Sequence, residues 1–142
     1  MILVFTKKKA MKRIVLILTL MAFLSDLRAP SLLVGYIVQP EEISYYTSLI
    51  KAITTIESNN GKYVFNKKEG AVGYFQIRQC RVDHYNRLKG TNYKLEDFYD
   101  YNLSRDMFLY FAKGKSYEKA AKDWNGSGPM VKVYWKKIKL LL

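Results

Sequence analysis

Cysteine and histidine are nearly missing from this chain, which has one of each, Cys80 and His84, in 142 residues. A single cysteine rules out an intrachain disulfide. Together the two residues supply at most two metal ligands, and no C-x-x-C or H-E-x-x-H spacing accompanies them, so no metal site is expected. Four residues apart, they share a helical face. A catalytic Cys–His pair, however, usually draws its members from distant parts of a chain, and structural roles are expected for both. Long apolar runs are lacking too. Ile14 to Leu24, interrupted only by Thr19, holds 11 residues, against about 20 needed to span a bilayer. There is no internal repeat and no low-complexity linker, and the length suits one core rather than two.

What is present is hydrophobic and basic. With 49% hydrophobic and 25% charged residues the composition is that of a globular protein. The net charge is +12, and after residue 30 the chain still carries 18 basic against 11 acidic residues. That balance attracts polyanions, whether nucleic acid, an anionic membrane surface or an acidic cell-wall polymer, without specifying which. The amino terminus reads as a targeting segment. Lys7, Lys8, Lys9, Lys12 and Arg13 precede the apolar run, as in a secretory leader. The exit at Ser25 to Pro30 is a poor cleavage site, and a second apolar patch spans Ser31 to Val38, so an uncleaved anchor stays open. Residues 1–30 are therefore expected to be a signal peptide or membrane anchor of an exported protein, periplasmic or extracellular, and residues 31–142 the folded domain.

That domain reads as helices around one short extended patch. Apolar residues at 43, 46, 50, 53 and 56 form a helical stripe, and Asn59-Asn60-Gly61 supplies a helix stop. Lys62 to Phe65 alternates and is expected to pair with Gly73 to Ile77. Asn102 to Ala112 is helical, Ser116 caps the next helix, and Val131, Tyr134, Trp135, Ile138 and Leu142 mark the last helical face.

Glu57 sits at the edge of the first stripe, four residues past Ile53. A carboxyl on an apolar face is desolvated, which raises its pKa, and the negative end of the helix dipole pushes the same way. A carboxylic acid protonated near neutral pH suits glycosidic leaving-group protonation. A solvated helix-end glutamate, or one paired with Lys62, is the plainer alternative. The downstream context favours the chemical reading. Gly70-Ala71-Val72-Gly73-Tyr74-Phe75-Gln76-Ile77 is a glycine-rich turn open to close backbone approach, and Gln76 offers a donor and an acceptor for sugar amides and hydroxyls. Trp124-Asn125-Gly126 adds an aromatic face for a pyranose and a second amide.

These pieces, in this order, resemble the SLT-type lytic transglycosylases of the lysozyme-like superfamily, over roughly residues 41 to 138. The family's helix-ending Glu-Ser corresponds to Glu57-Ser58. Its Gly-Ala-x-Gly-x-x-Gln-Ile corresponds to Gly70, Ala71, Gly73, Gln76 and Ile77, and its Asn-containing helix to Leu95 to Leu109, with Asp100 and Asn102. Its Ala-x-x-Tyr-Asn-x-Gly corresponds to Ala121 through Asn125, with Trp124 in the aromatic place. The chain departs from the pattern at Lys67, Tyr74-Phe75, Asp106 and a longer Gly126–Pro129 loop.

The resemblance implies a mainly helical α+β, lysozyme-like single domain, with a small β-hairpin beside an active-site cleft. It implies cleavage of the β-1,4 bond between N-acetylmuramic acid and N-acetylglucosamine in peptidoglycan glycan strands. Glu57 would be the sole catalytic acid/base, giving 1,6-anhydro ends. Ser58, Gly73, Tyr74, Gln76, Trp124 and Asn125 would bind substrate. No cofactor and no metal are implied, and a monomer is expected. A lysozyme-type hydrolase and a non-catalytic glycan binder are the nearest alternatives. A basic nucleic-acid-binding module is more remote, because the tyrosines are spread through helical stripes and form no aromatic-basic platform; no nucleic acid is expected as a partner.

Overall fold

Five α-helices and one very short hairpin make up residues 40–142, the part of the chain that the computed structural model describes. The leader expected over 1–30 and the apolar patch at 31–38 lie outside the described residues. Helix α1, Pro40–Ser58, begins on a proline, whose missing N–H costs nothing in a first turn. It buries Tyr46, Leu49, Ile50, Ala52 and Ile53 on the face that the stripe marks out. Asn59 and Asn60 then take left-handed backbone angles, φ 52° and 55°, and end the helix two residues beyond Ile56, where the stripe stops.

The hairpin is smaller than its sequence suggests and is displaced. Strand β1, Phe65–Asn66, pairs antiparallel with β2, Ala71–Val72, not with Gly73 to Ile77. The latter segment turns back instead. Gly73 and Gln76 both adopt positive φ, and the chain folds so that Val72 and Ile77 exchange backbone hydrogen bonds of 2.9 and 2.8 Å. Gly73 still reaches the first strand's end, its N–H donating to the Val64 carbonyl at 2.8 Å.

A helix not expected as an element follows. Helix α2, Gln79–Lys89, buries only Val82 and Tyr85 and ends at Gly90 with φ 66°. A 3-10 turn, Leu95–Tyr99, buries Phe98. Helix α3, Tyr101–Ala112, opens on Asp100, whose carboxylate accepts from the Leu103 N–H at 2.7 Å. Helix α4, Tyr117–Asn125, is capped by Ser116 as expected, and α5 runs Met130–Lys139 after the Gly126–Pro129 break. Of the residues that mark this last face, Tyr134 and Ile138 are buried, while Leu142 lies exposed beyond the helix.

Helix α1 packs on α3, α4 and α5. Phe75, Phe108 and Trp124 meet ring to ring at the centre, with centroids 5.2–6.0 Å apart. The architecture is mainly helical with a small two-stranded antiparallel sheet, matching the coarse expectation.

Candidate active site

Glu57 occupies the next-to-last position of α1 and lines a cleft of about 470 Å³. Asn66 and Glu69 from the hairpin, Gln76 from the glycine-rich turn, and Trp124 and Asn125 from the end of α4 line the same cleft. The acid, the turn and the aromatic-Asn loop, far apart in sequence, therefore converge on one cavity. Arg78, just before α2, and Cys80, Arg81 and His84 on it form another wall, and Phe111, Lys115 and Asp123 complete the lining. Cys80 and His84 thus stand exposed on the cleft wall rather than in the core, with the His84 ring 5.4 Å from that of Phe111.

The Glu57 carboxyl is held from behind. Tyr134 on α5 donates its hydroxyl to Oε1 at 2.7 Å across 77 positions of sequence. Burial pushes the Glu57 pKa up from 4.5 to about 7; the Tyr134 hydrogen bond and the more distant Arg78 and Arg81 oppose that rise, and Glu69 adds to it. Desolvation outweighs the hydrogen bond because the carboxylate loses most of its hydration and gains one donor in return. Tyr134 is itself pushed well above the ordinary phenol value, first by burial and then by the facing Glu57, so it remains a donor. Glu57 makes no ion pair among the described residues, and the Lys62 partnership is not formed.

The other two carboxyls of the cleft are engaged. Asp123 bonds Lys115 and Lys119 at 2.8 Å each, and these bonds hold its pKa below the ordinary value. Glu69 lies at the rim, 3.9 Å from Arg78.

Not every residue expected to bind substrate faces the cleft. Ser58 is 1% exposed. Its hydroxyl contacts the Thr54 and Tyr74 carbonyls at 3.2 and 2.9 Å and accepts from the Gly61 N–H at 2.9 Å. A hydroxyl so placed ties the helix end to the glycine-rich turn and has no surface for a sugar. Gly73 is also buried, and a Cβ there would come within 2.1 Å of the Phe98 carbonyl oxygen. The close approach that it allows is to the 3-10 turn, not to a ligand. Tyr74 turns away from this cleft, covering Gly61 and lining a second hollow with Tyr101 and Thr54. These three positions build the site without lining it.

Gln76 and Trp124 carry double duty. Gln76 has a left-handed backbone, φ 48°, and its amide nitrogen donates to the Tyr63 and Gly73 carbonyls at 3.1 and 3.0 Å. Those bonds orient the amide and leave its oxygen as an acceptor without a partner among the described residues. Trp124 is 5% exposed, with its indole N–H on the Phe75 carbonyl at 3.2 Å. It is chiefly core, and little of it reaches the cleft. Asn125 is half-buried at the wall.

Tyr134 and Arg81 carry no local motif and escape a reading by sequence. Tyr134 shows only as one member of the last apolar stripe, and Arg81 as one of many basic residues.

No family model matches the chain, and comparisons with curated proteins and with solved structures give no match.

Proposed function

We propose that this chain is a peptidoglycan lytic transglycosylase with a lysozyme-like fold, acting on the β-1,4 bond between N-acetylmuramic acid and N-acetylglucosamine. The observation that carries the reading is one carboxyl, Glu57, whose pKa burial raises to about 7, in a cleft lined by the amides of Asn66, Gln76 and Asn125 and by Trp124. Glu57 in its acid form donates its proton to the bridging oxygen as the bond from the muramyl C1 breaks. The leaving sugar departs as the C4 alcohol. The neighbouring acetamido oxygen stabilises the cation at C1, which dispenses with a second carboxylate. Glu57, now a carboxylate, takes the proton of the muramyl C6 hydroxyl as its oxygen bonds to C1, closing the 1,6-anhydro ring without water. A pKa near the working pH suits one group to both halves of this cycle.

Gln76 and Asn125 are assigned to hydrogen-bond the sugar, and Trp124 to contact it. We assign the protein to the exported fraction, acting as a monomer on the wall.

The test is mass spectrometry of purified peptidoglycan after treatment with the protein. Anhydro-muropeptides are the expected products. Reducing ends would make it a lysozyme-type hydrolase, and intact sacculi with retained binding would make it a glycan binder.

A further inference from the structure

Among the described residues, Arg81 is the arginine or lysine of the cleft that no acid answers. Arg78 has Glu69 at 3.9 Å, and Lys115 has Asp123 at 2.8 Å. Arg81, in the first turn of α2, forms no ion pair. Its guanidinium lies 4.2 Å from the centroid of Trp124 and 5.6 Å from that of Phe111, and Nη2 donates to the Trp124 carbonyl at 2.8 Å. Those contacts fix the plane of the group and use one of its five donors. The side chain is half-buried, so its charge is partly stripped of water with no anion in return. No ion pair joins it to Glu57, whose carboxyl accepts from Tyr134 instead. The first turn of α2 contains no acid, so the positive end of the helix adds to the same sign.

A planar, pre-oriented guanidinium with free donors beside a glycan cleft matches a carboxylate, which it can hold through two parallel bonds. Within the glycan reading proposed above, uncharged amino-sugar polymers offer none, whereas muramic acid brings one. We propose that Arg81 binds a carboxylate carried by the muramyl substrate and so makes the cleft select muramyl glycans over uncharged ones. That carboxylate has two sources, the free lactyl group of a peptide-free strand or an acidic group of the stem peptide.

The experiment is calorimetric binding to the full chain carrying Glu57→Gln, so that nothing is turned over. The ligands are a chitooligosaccharide, a peptide-free muramyl oligosaccharide, the same oligosaccharide with its lactyl carboxyl converted to a methylamide, and a stem-peptide-bearing fragment. A carboxylate held by a charged hydrogen bond should improve affinity about tenfold over its amide. Arg81→Gln should erase that gain, and Arg81→Lys should keep part of it. Loss confined to the peptide-free ligand identifies the lactyl group; loss confined to the peptide-bearing fragment identifies the stem. Comparing the acid with its amide needs no change at Arg81, so a poorly folding variant does not blunt the test. Equal affinity for all four ligands overturns the Arg81 assignment and leaves the glycan reading standing. Binding to none of them overturns both.

Discussion

Replacing Glu57 by glutamine should leave stability almost unchanged at pH 4 and raise it progressively toward neutral pH, with the gain levelling off above pH 7. The carboxyl titrates near 7 in the fold against 4.5 ordinarily. Below pH 4.5 both the folded and unfolded chains hold the proton, and the group contributes no pH dependence. Between 4.5 and 7 the unfolded chain ionises while the folded one does not, so rising pH favours unfolding. Above 7 the folded carboxyl ionises as well and the penalty levels off, at about 3 kcal/mol for a shift of this size. The substituted amide is uncharged at every pH and escapes that penalty, and its carbonyl can still accept from Tyr134. Urea unfolding of the two proteins at pH 4 and pH 8.5 is the assay, because every other titrating group cancels in the difference. The variant should gain about 3 kcal/mol on the wild type between the two conditions. A gap that does not change with pH would show that Glu57 is not desolvated, and the acid/base assignment would lose its physical basis. The same carboxyl should set the alkaline limb of the wild-type rate profile near pH 7, with no turnover in the variant at any pH.

Three further outcomes follow from the same geometry. Tyr134→Phe removes a donor that favours the ionised carboxyl, so the alkaline limb should move to higher pH, as read from a pH–rate profile on soluble fragments. Gly73→Ala places a methyl against the Phe98 carbonyl at φ 75° and should destabilise the fold by about 3 kcal/mol in urea unfolding. Trp124→Ala should cost about 3–5 kcal/mol, with Trp124→Phe losing far less, because the ring is core before it is cleft; a thermally unshifted alanine variant would contradict this.

The parts that could be read from the sequence are those with local causes. The stripe from Ile43 to Ile56 marks the buried face of α1, Ser116 is a cap because its oxygen serves an N–H three residues on, and Asn59-Asn60-Gly61 stops a helix through left-handed backbone angles. Helix α2 left no such trace. With two buried side chains it lacks a stripe, and side-chain contacts such as Arg81 on Trp124 and Tyr85 against Phe98 and Tyr110 tie it to other elements. The hairpin was misplaced because alternation cannot reveal that Gly73 and Gln76 would both turn left-handed and bend the second segment back. At the site, Glu57, Gln76, Trp124 and Asn125 do share a cleft, while Ser58, Gly73 and Tyr74 face away from it. A motif preserves an order of residues; it does not distinguish the side chains that line a cavity from those that shape it. Tyr134 could not be found in advance, since its partner lies 77 positions away.

Consecutive residues of α1 are tied to different parts of the fold, Glu57 to the Tyr134 phenol on α5 and Ser58, through its hydroxyl, to the glycine-rich turn. Opening this end of the helix means breaking the glycine-rich turn on one side and lifting α5 on the other. Amide hydrogens around Glu57 should therefore exchange with solvent only in the slowest class, together with the central helices. In the glycan reading proposed above, the flexibility that admits a polymer would come from the other walls, the hairpin tip and the loop after α4, so the acid would stay fixed while the cleft around it adjusts.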